Sequence, residues 1–75
     1  MKGENALIDM TKFGRRIVEL RNKANMRQCD LAERCSVSPQ AVSKWENGKS
    51  CPDIALLDEI AAAFGVSIND LFVTS

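Results

Sequence analysis

Apolar residues recur along this chain at helical spacing. Phe13, Ile17, Leu20 and Ala24 are four, three and four residues apart, which puts one apolar stripe on a helix. Thr11 is its expected N-cap, residue 24 its approximate end, and Asn25 a suitable left-handed stop. Arg15, Arg16, Glu19 and Lys23 fall on the other faces. A shorter pattern of Leu31, Ala32 and Cys35 predicts a second helix over residues 28–35, with Ser36 and Val37 forming a turn. Ser38 then caps a third helix, with Pro39 at its first position, where the missing N–H costs nothing. Val42 and Trp45 point inward on that helix, Gln40, Ser43 and Lys44 point outward, and Asn47-Gly48 ends it.

Further on, Asp53 follows Pro52 as the cap of a fourth helix, whose stripe is Ile54, Leu57, Ile60, Ala61 and Phe64, widened by Leu56. Gly65 stops it, and Ser67 opens a short fifth helix holding Ile68, Leu71 and Phe72. No segment alternates with period two, so strands are not expected. The pattern predicts an all-α fold of five helices around one core. Residues 1–10 show no periodicity and are expected to form a flexible arm ahead of a domain over residues 11–75.

A chain of 75 residues has room for one small domain. Its formal net charge is zero, but the charges are segregated. Residues 12–49 carry nine bases against four acids, a balance of +5, whereas residues 50–75 carry four acids and no base. One side of such a domain attracts phosphates and the other repels them, and the zero net charge limits non-specific affinity. No apolar run approaches the roughly 20 residues needed to cross a bilayer. Residues 1–10 carry acids and resemble neither a signal nor a transit peptide, so a cytoplasmic protein is expected.

There are three cysteines (Cys29, Cys35 and Cys51) and no histidine. Neither a disulfide framework nor a four-ligand zinc site fits that count, so the cysteines are expected to be small buried hydrophobes, and no metal or other cofactor is expected. Cys29 is set apart by its place in the first turn of a helix, where a thiol can ionise more easily. Without a histidine, a clustered carboxylate pair or a glycine-rich phosphate loop, an enzyme is not expected.

Several separated segments then carry a resemblance. They are Ile17-x-x-Leu20-Arg21, Gln28-x-x-Leu31-Ala32, Val37-Ser38-x-x-Ala41-Val42-Ser43-Lys44-Trp45-Glu46-Asn47-Gly48-Lys49, Pro52, and Ile60-Ala61-x-x-Phe64-Gly65-Val66-Ser67. Together, over roughly residues 12–72, the chain resembles the lambda repressor-like, Xre-type (Cro-like) helix-turn-helix family. That resemblance implies sequence-specific binding of double-stranded DNA, with the third helix (about residues 39–46) in the major groove and the second crossing the backbone. It implies a transcriptional regulator, a repressor more than an activator, bound as a homodimer to a two-fold operator.

Position by position, the resemblance assigns base contacts to Ser38, Pro39, Gln40 and Lys44, and phosphate contacts to Gln28, Asn47, Lys49 and Ser50. Ser43 is expected to meet a phosphate or a base. Arg21 and Glu46 are expected to form an internal ion pair joining the first and third helices. Residue chemistry fits, since Gln pairs with adenine N6/N7 and Lys with guanine O6/N7.

The chain departs from the family pattern at two places. Ser36 stands where glycine is common, which predicts a strained left-handed residue. Arg27 stands where a Ser or Thr cap is common; it cannot accept the capping hydrogen bond and is expected to reach a phosphate instead. Ile68, Leu71, Phe72 and Val73 are a candidate dimer surface. The alternative is a protein-interaction module, such as an antitoxin or anti-regulator, built on the same scaffold.

Overall fold

Of the expected stripe, Phe13, Ile17 and Leu20 lie on α1 (Met10–Lys23) and are buried, whereas Ala24 falls at the C-cap, past the last helical turn, and is exposed. In the computed structural model, which describes residues 9–72, three further helices follow: α2 (Gln28–Arg34), α3 (Pro39–Glu46) and α4 (Ile54–Phe64). No strand occurs among the described residues. The expected arm lies outside them as far as residue 8, and so does Val73.

The start of α1 differs from the expectation. Asp9, not Thr11, is the N-cap, its Oδ1 accepting from the backbone N–H of Thr11 and of Lys12 at 3.1 Å each. A carboxylate two residues upstream meets two of the helix's free N–H groups, so Thr11 is drawn into the first turn.

The expected fifth helix is a single 3-10 turn, Asn69–Leu71, so the described residues form four α-helices and one turn. One turn is enough to insert Leu71, which is 0% exposed, while Ile68 and Phe72 remain 39% and 38% exposed. Ser67 and Asp70 brace it reciprocally, and Arg16 Nε ties it to α1 by donating to the Asp70 carbonyl at 2.8 Å. Phe72 packs its ring on Phe13, with centroids 5.4 Å apart.

The four helices end alike. In each, the N–H after a left-handed residue donates back five positions: Met26 to Arg21, Val37 to Ala32, Lys49 to Lys44 and Val66 to Ala61, at 2.9–3.0 Å. The left-handed residues are Asn25, Ser36, Gly48 and Gly65. In three cases the residue that follows (Met26, Val37, Val66) is apolar and packs onto the core. At the end of α3 it is Lys49, which is exposed.

The core joins these elements through Leu31, Ala32 and Cys35 of the α2 segment, Val42 and Trp45 of α3, Leu57, Ile60 and Ala61 of α4, and Leu71. Ile54, expected on the α4 stripe, is 82% exposed, because the core covers that stripe only from Leu57 onward. The sequence pattern gave no warning of Gly14. A Cβ there would lie 2.7 Å from the Glu46 carbonyl oxygen and closer still to that of Trp45, so α1 touches the end of α3 backbone to backbone. A glycine inside a helical pattern is the available signal for such an approach. No helix among the described residues is long and apolar enough to cross a membrane.

Candidate nucleic-acid interface

Two short helices joined by a tight turn make this site, and each junction has a local cause. Ser36 closes α2 at φ 58°, in the left-handed region that an L-residue enters at a cost. Ser38 Oγ accepts from the Ala41 N–H at 3.2 Å and starts α3, with Pro39 already in helical φ. With Val42 and Trp45 fully in the core, the opposite side of α3 faces out. Ser38, Pro39, Gln40 and Lys44 are all exposed there, and Ser43 is half-buried.

The inward end of α3 is held by a polar junction. Arg21 Nε donates to Glu46 Oε2 at 2.7 Å, and Gln28 Nε2 donates to Glu46 Oε1 at 2.8 Å. Arg21 Nη1 also donates to the Met26 carbonyl at 2.9 Å. One carboxylate from α3 is thus gripped by α1 and α2 at once. The Arg21 and Glu46 side chains are only 16% and 6% exposed, so the pair is largely removed from water. Losing either member would strand the other. Gln28 keeps one N–H and its carbonyl oxygen beyond this bond.

The remaining candidate contacts divide. Lys49 is exposed and Ser50 half-buried, both just past Gly48. The Asn47 side chain turns back: its Nδ2 donates to the Ser43 carbonyl at 2.9 Å and lies 3.3 Å from Ser43 Oγ. A backbone carbonyl only accepts, so this contact fixes which end of the amide is nitrogen. Residue-type reasoning missed the pairing, although the spacing of four residues on a helix permits it.

Arg27 is likewise engaged, donating through Nε and Nη2 to Asp30, each at 3.2 Å. Asp30 Oδ2 also accepts from the Arg27 backbone N–H at 2.8 Å, which supplies one half of a reciprocal cap. The other half is absent because Arg27 has no acceptor. These hydrogen bonds hold the Asp30 carboxyl below its ordinary range and raise the Arg27 guanidinium.

The candidate dimer surface loses Leu71, which is buried in the core and has no area to offer a partner. The cysteines also differ from expectation. Cys35 is buried, with its thiol pushed up by burial, but Cys51 is half-buried and Cys29 is exposed. The second position of a seven-residue helix, beside the exposed Arg27, keeps Cys29 out of the core. Among the described residues no group of three or more Cys, Asp or Glu is arranged to hold a metal ion.

Two packed helices at a sharp turn, the second presenting a polar outer face, define the helix-turn-helix class. A helix-turn-helix family model matches residues 17–71, and the chain belongs to that family, in its lambda repressor-like, Xre-type form. It is similar to the HTH-type transcriptional activator BcrR of Enterococcus faecalis, at 40% identity over 60 residues, 80% of this chain and 29% of that protein. It is also similar to the 26 kDa repressor protein of Escherichia phage HK022, at 37% identity over 59 residues, 73% of this chain and 25% of that protein. The chain therefore spans less than a third of these two curated relatives. Among solved structures, the restriction-modification controller protein C.AhdI from Aeromonas hydrophila superposes with a TM-score of 0.82 at 27% identity. That match covers 88% of this chain and 100% of the other.

Proposed function

We propose that this chain is the sequence-specific, double-stranded DNA-binding module of a cytoplasmic transcriptional regulator. The observation that carries the reading is the division of α3 into two faces. Val42, Trp45 and Glu46 are locked inward, while Ser38, Pro39, Gln40 and Lys44 stand exposed on the outside. In this reading α3 enters the major groove and those four residues meet base edges. Gln28 at the start of α2, and Lys49 and Ser50 past α3, meet phosphates. Asn47 contributes through its backbone, since its side-chain donors are turned to Ser43. Arg27 exchanges Asp30 for a phosphate on binding.

The module binds a two-fold site as a homodimer, with half-sites about one helical turn apart, through a surface that includes Ile68 and Phe72. Repression is the simpler output, because occupying the groove suffices for it, whereas activation needs a further contact. The test is a gel shift on duplexes selected from a random pool, titrated with salt. Lys44→Ala changes base preference. Lys49→Ala weakens every sequence alike and lowers the salt slope by about 1. Unchanged binding in both variants would sink the reading.

A further inference from the structure

The first turn of α1 lies against the loop that follows α3. A Cβ on Gly48 would come within 3.2 Å of Thr11 Oγ1 and 3.3 Å of Thr11 Cα, so Thr11 closely approaches the residue before Lys49. Gly14 then brings the same side of α1 onto the end of α3. Asp9 caps α1, which leaves the Thr11 hydroxyl with no hydrogen bond among the described residues. Arg15 is exposed one turn along from Thr11 and makes no ion pair among them either. The other two arginines of α1 are committed, Arg16 to Glu19 and the Asp70 carbonyl, Arg21 to Glu46 and the Met26 carbonyl. Residues four apart on a helix stand about 6 Å apart at Cβ, so Thr11 and Arg15 can reach one ligand together.

We infer that α1 carries a backbone clamp, in which the Thr11 hydroxyl and the Arg15 guanidinium hold one phosphate of the DNA strand that Lys49 also meets. The hydroxyl can donate, and the guanidinium brings a planar fork of donors that fits phosphate oxygens. Phosphate is the target and not a base edge, because the pair sits on α1 beside the loop, off the helix that enters the groove. The first N–H groups of α1 play no part, since Asp9 occupies those of Thr11 and Lys12. The inference rests on the DNA-binding reading and adds a third element to its backbone contacts, after α2 and the loop past α3.

The test compares the parent chain with Arg15→Gln, Thr11→Val and Lys23→Gln on a selected duplex, titrated with salt, with thermal melts confirming that each variant folds. Lys23 is the matched control, a base of the same helix that lines a cleft with Phe64 and Asp70 on the side turned to the end of α4. Arg15→Gln lowers the salt slope by about 1 and weakens every sequence about tenfold, with base preference unchanged. Thr11→Val weakens binding about threefold at the same slope. Lys23→Gln leaves slope and affinity as in the parent. Duplexes carrying one neutral methylphosphonate at each linkage in turn locate the contact: at a single linkage the parent loses affinity and Arg15→Gln loses none. Equal slopes for Arg15→Gln and Lys23→Gln, or a loss in Arg15→Gln that no single linkage reproduces, would overturn the inference. The DNA-binding reading would stand so long as Lys49→Ala still lowers the slope. A parent chain that binds no duplex would overturn both.

Discussion

Gly14 and Ser36 show how single residues set the geometry of this fold. In an isolated helix, replacing glycine by alanine stabilises by about 1 kcal/mol. At Gly14 the sign reverses, because the added methyl would overlap the carbonyls of Trp45 and Glu46, which are backbone and cannot swing aside. Gly14→Ala is expected to cost about 3 kcal/mol, measured by urea unfolding, a large part of a small domain's stability. Ser36 is the opposite case. Its left-handed backbone carries a strain that glycine would not, so Ser36→Gly is expected to gain about 1 kcal/mol and raise the melting temperature by several degrees. Ser36 was visible because it stands where the family pattern has glycine, and the turn there does hold a left-handed residue. Gly14 was not visible in the same way, because its neighbours lie about thirty residues downstream and no periodicity encodes them.

At the scale of elements, the same contrast explains which expectations held. Beyond the left-handed Ser36, which the family pattern marked, helices with apolar stripes were legible, and so were the stops at Asn25, Gly48 and Gly65, since each depends on residues within one turn. The start of α1 was not, because Asp9 and Thr11 are both competent caps and the choice depends on where the first N–H groups point. The last element shrank to a turn because one inserted side chain, Leu71, satisfies the core. On the binding face, exposure of Gln40 and Lys44 followed from the pattern, Ser43, expected outward with them, is half-buried, and the Asn47–Ser43 and Arg27–Asp30 contacts are choices among rotamers that the pattern does not encode.

The α2 helix has seven residues, well short of the roughly 12–15 that can persist alone, so its capping matters. Hydrogen bonds from Arg27 hold Asp30 below the usual carboxylate range in the folded chain. Its contribution is therefore fully present above the unfolded value, near pH 4, and is lost as the pH falls through the lower folded value. Thermal melts should show Asp30→Asn below the parent at pH 7, with the gap closing in strong acid.

For the whole molecule, segregation of charge matters more than its sum. The +5 balance of residues 12–49 covers α1 to α3, and the acids of residues 50–75 belong to α4 and the turn that follows, so a neutral chain still has a phosphate-seeking region. Affinity from such a surface is modest, which fits the proposed pairing of two copies on one site. Ile68 is the residue to probe for that pairing, because it is exposed and free of the core, whereas Leu71 is buried and Phe72, though equally exposed, also packs on Phe13. Ile68→Glu is expected to leave the melting temperature unchanged and to lower affinity for a two-fold site while sparing a single half-site, as read by fluorescence anisotropy.

With α3 proposed to lie in the major groove, methylation protection reads the complex at the base edges themselves. Dimethyl sulfate attacks guanine N7 in the major groove and adenine N3 in the minor groove. On a selected duplex, the chain is expected to protect guanine N7 within each half-site while leaving adenine N3 reactive, and Lys44→Ala should restore reactivity at one guanine. A specifically bound duplex whose guanine N7 positions all stay reactive would rule out α3 in the major groove.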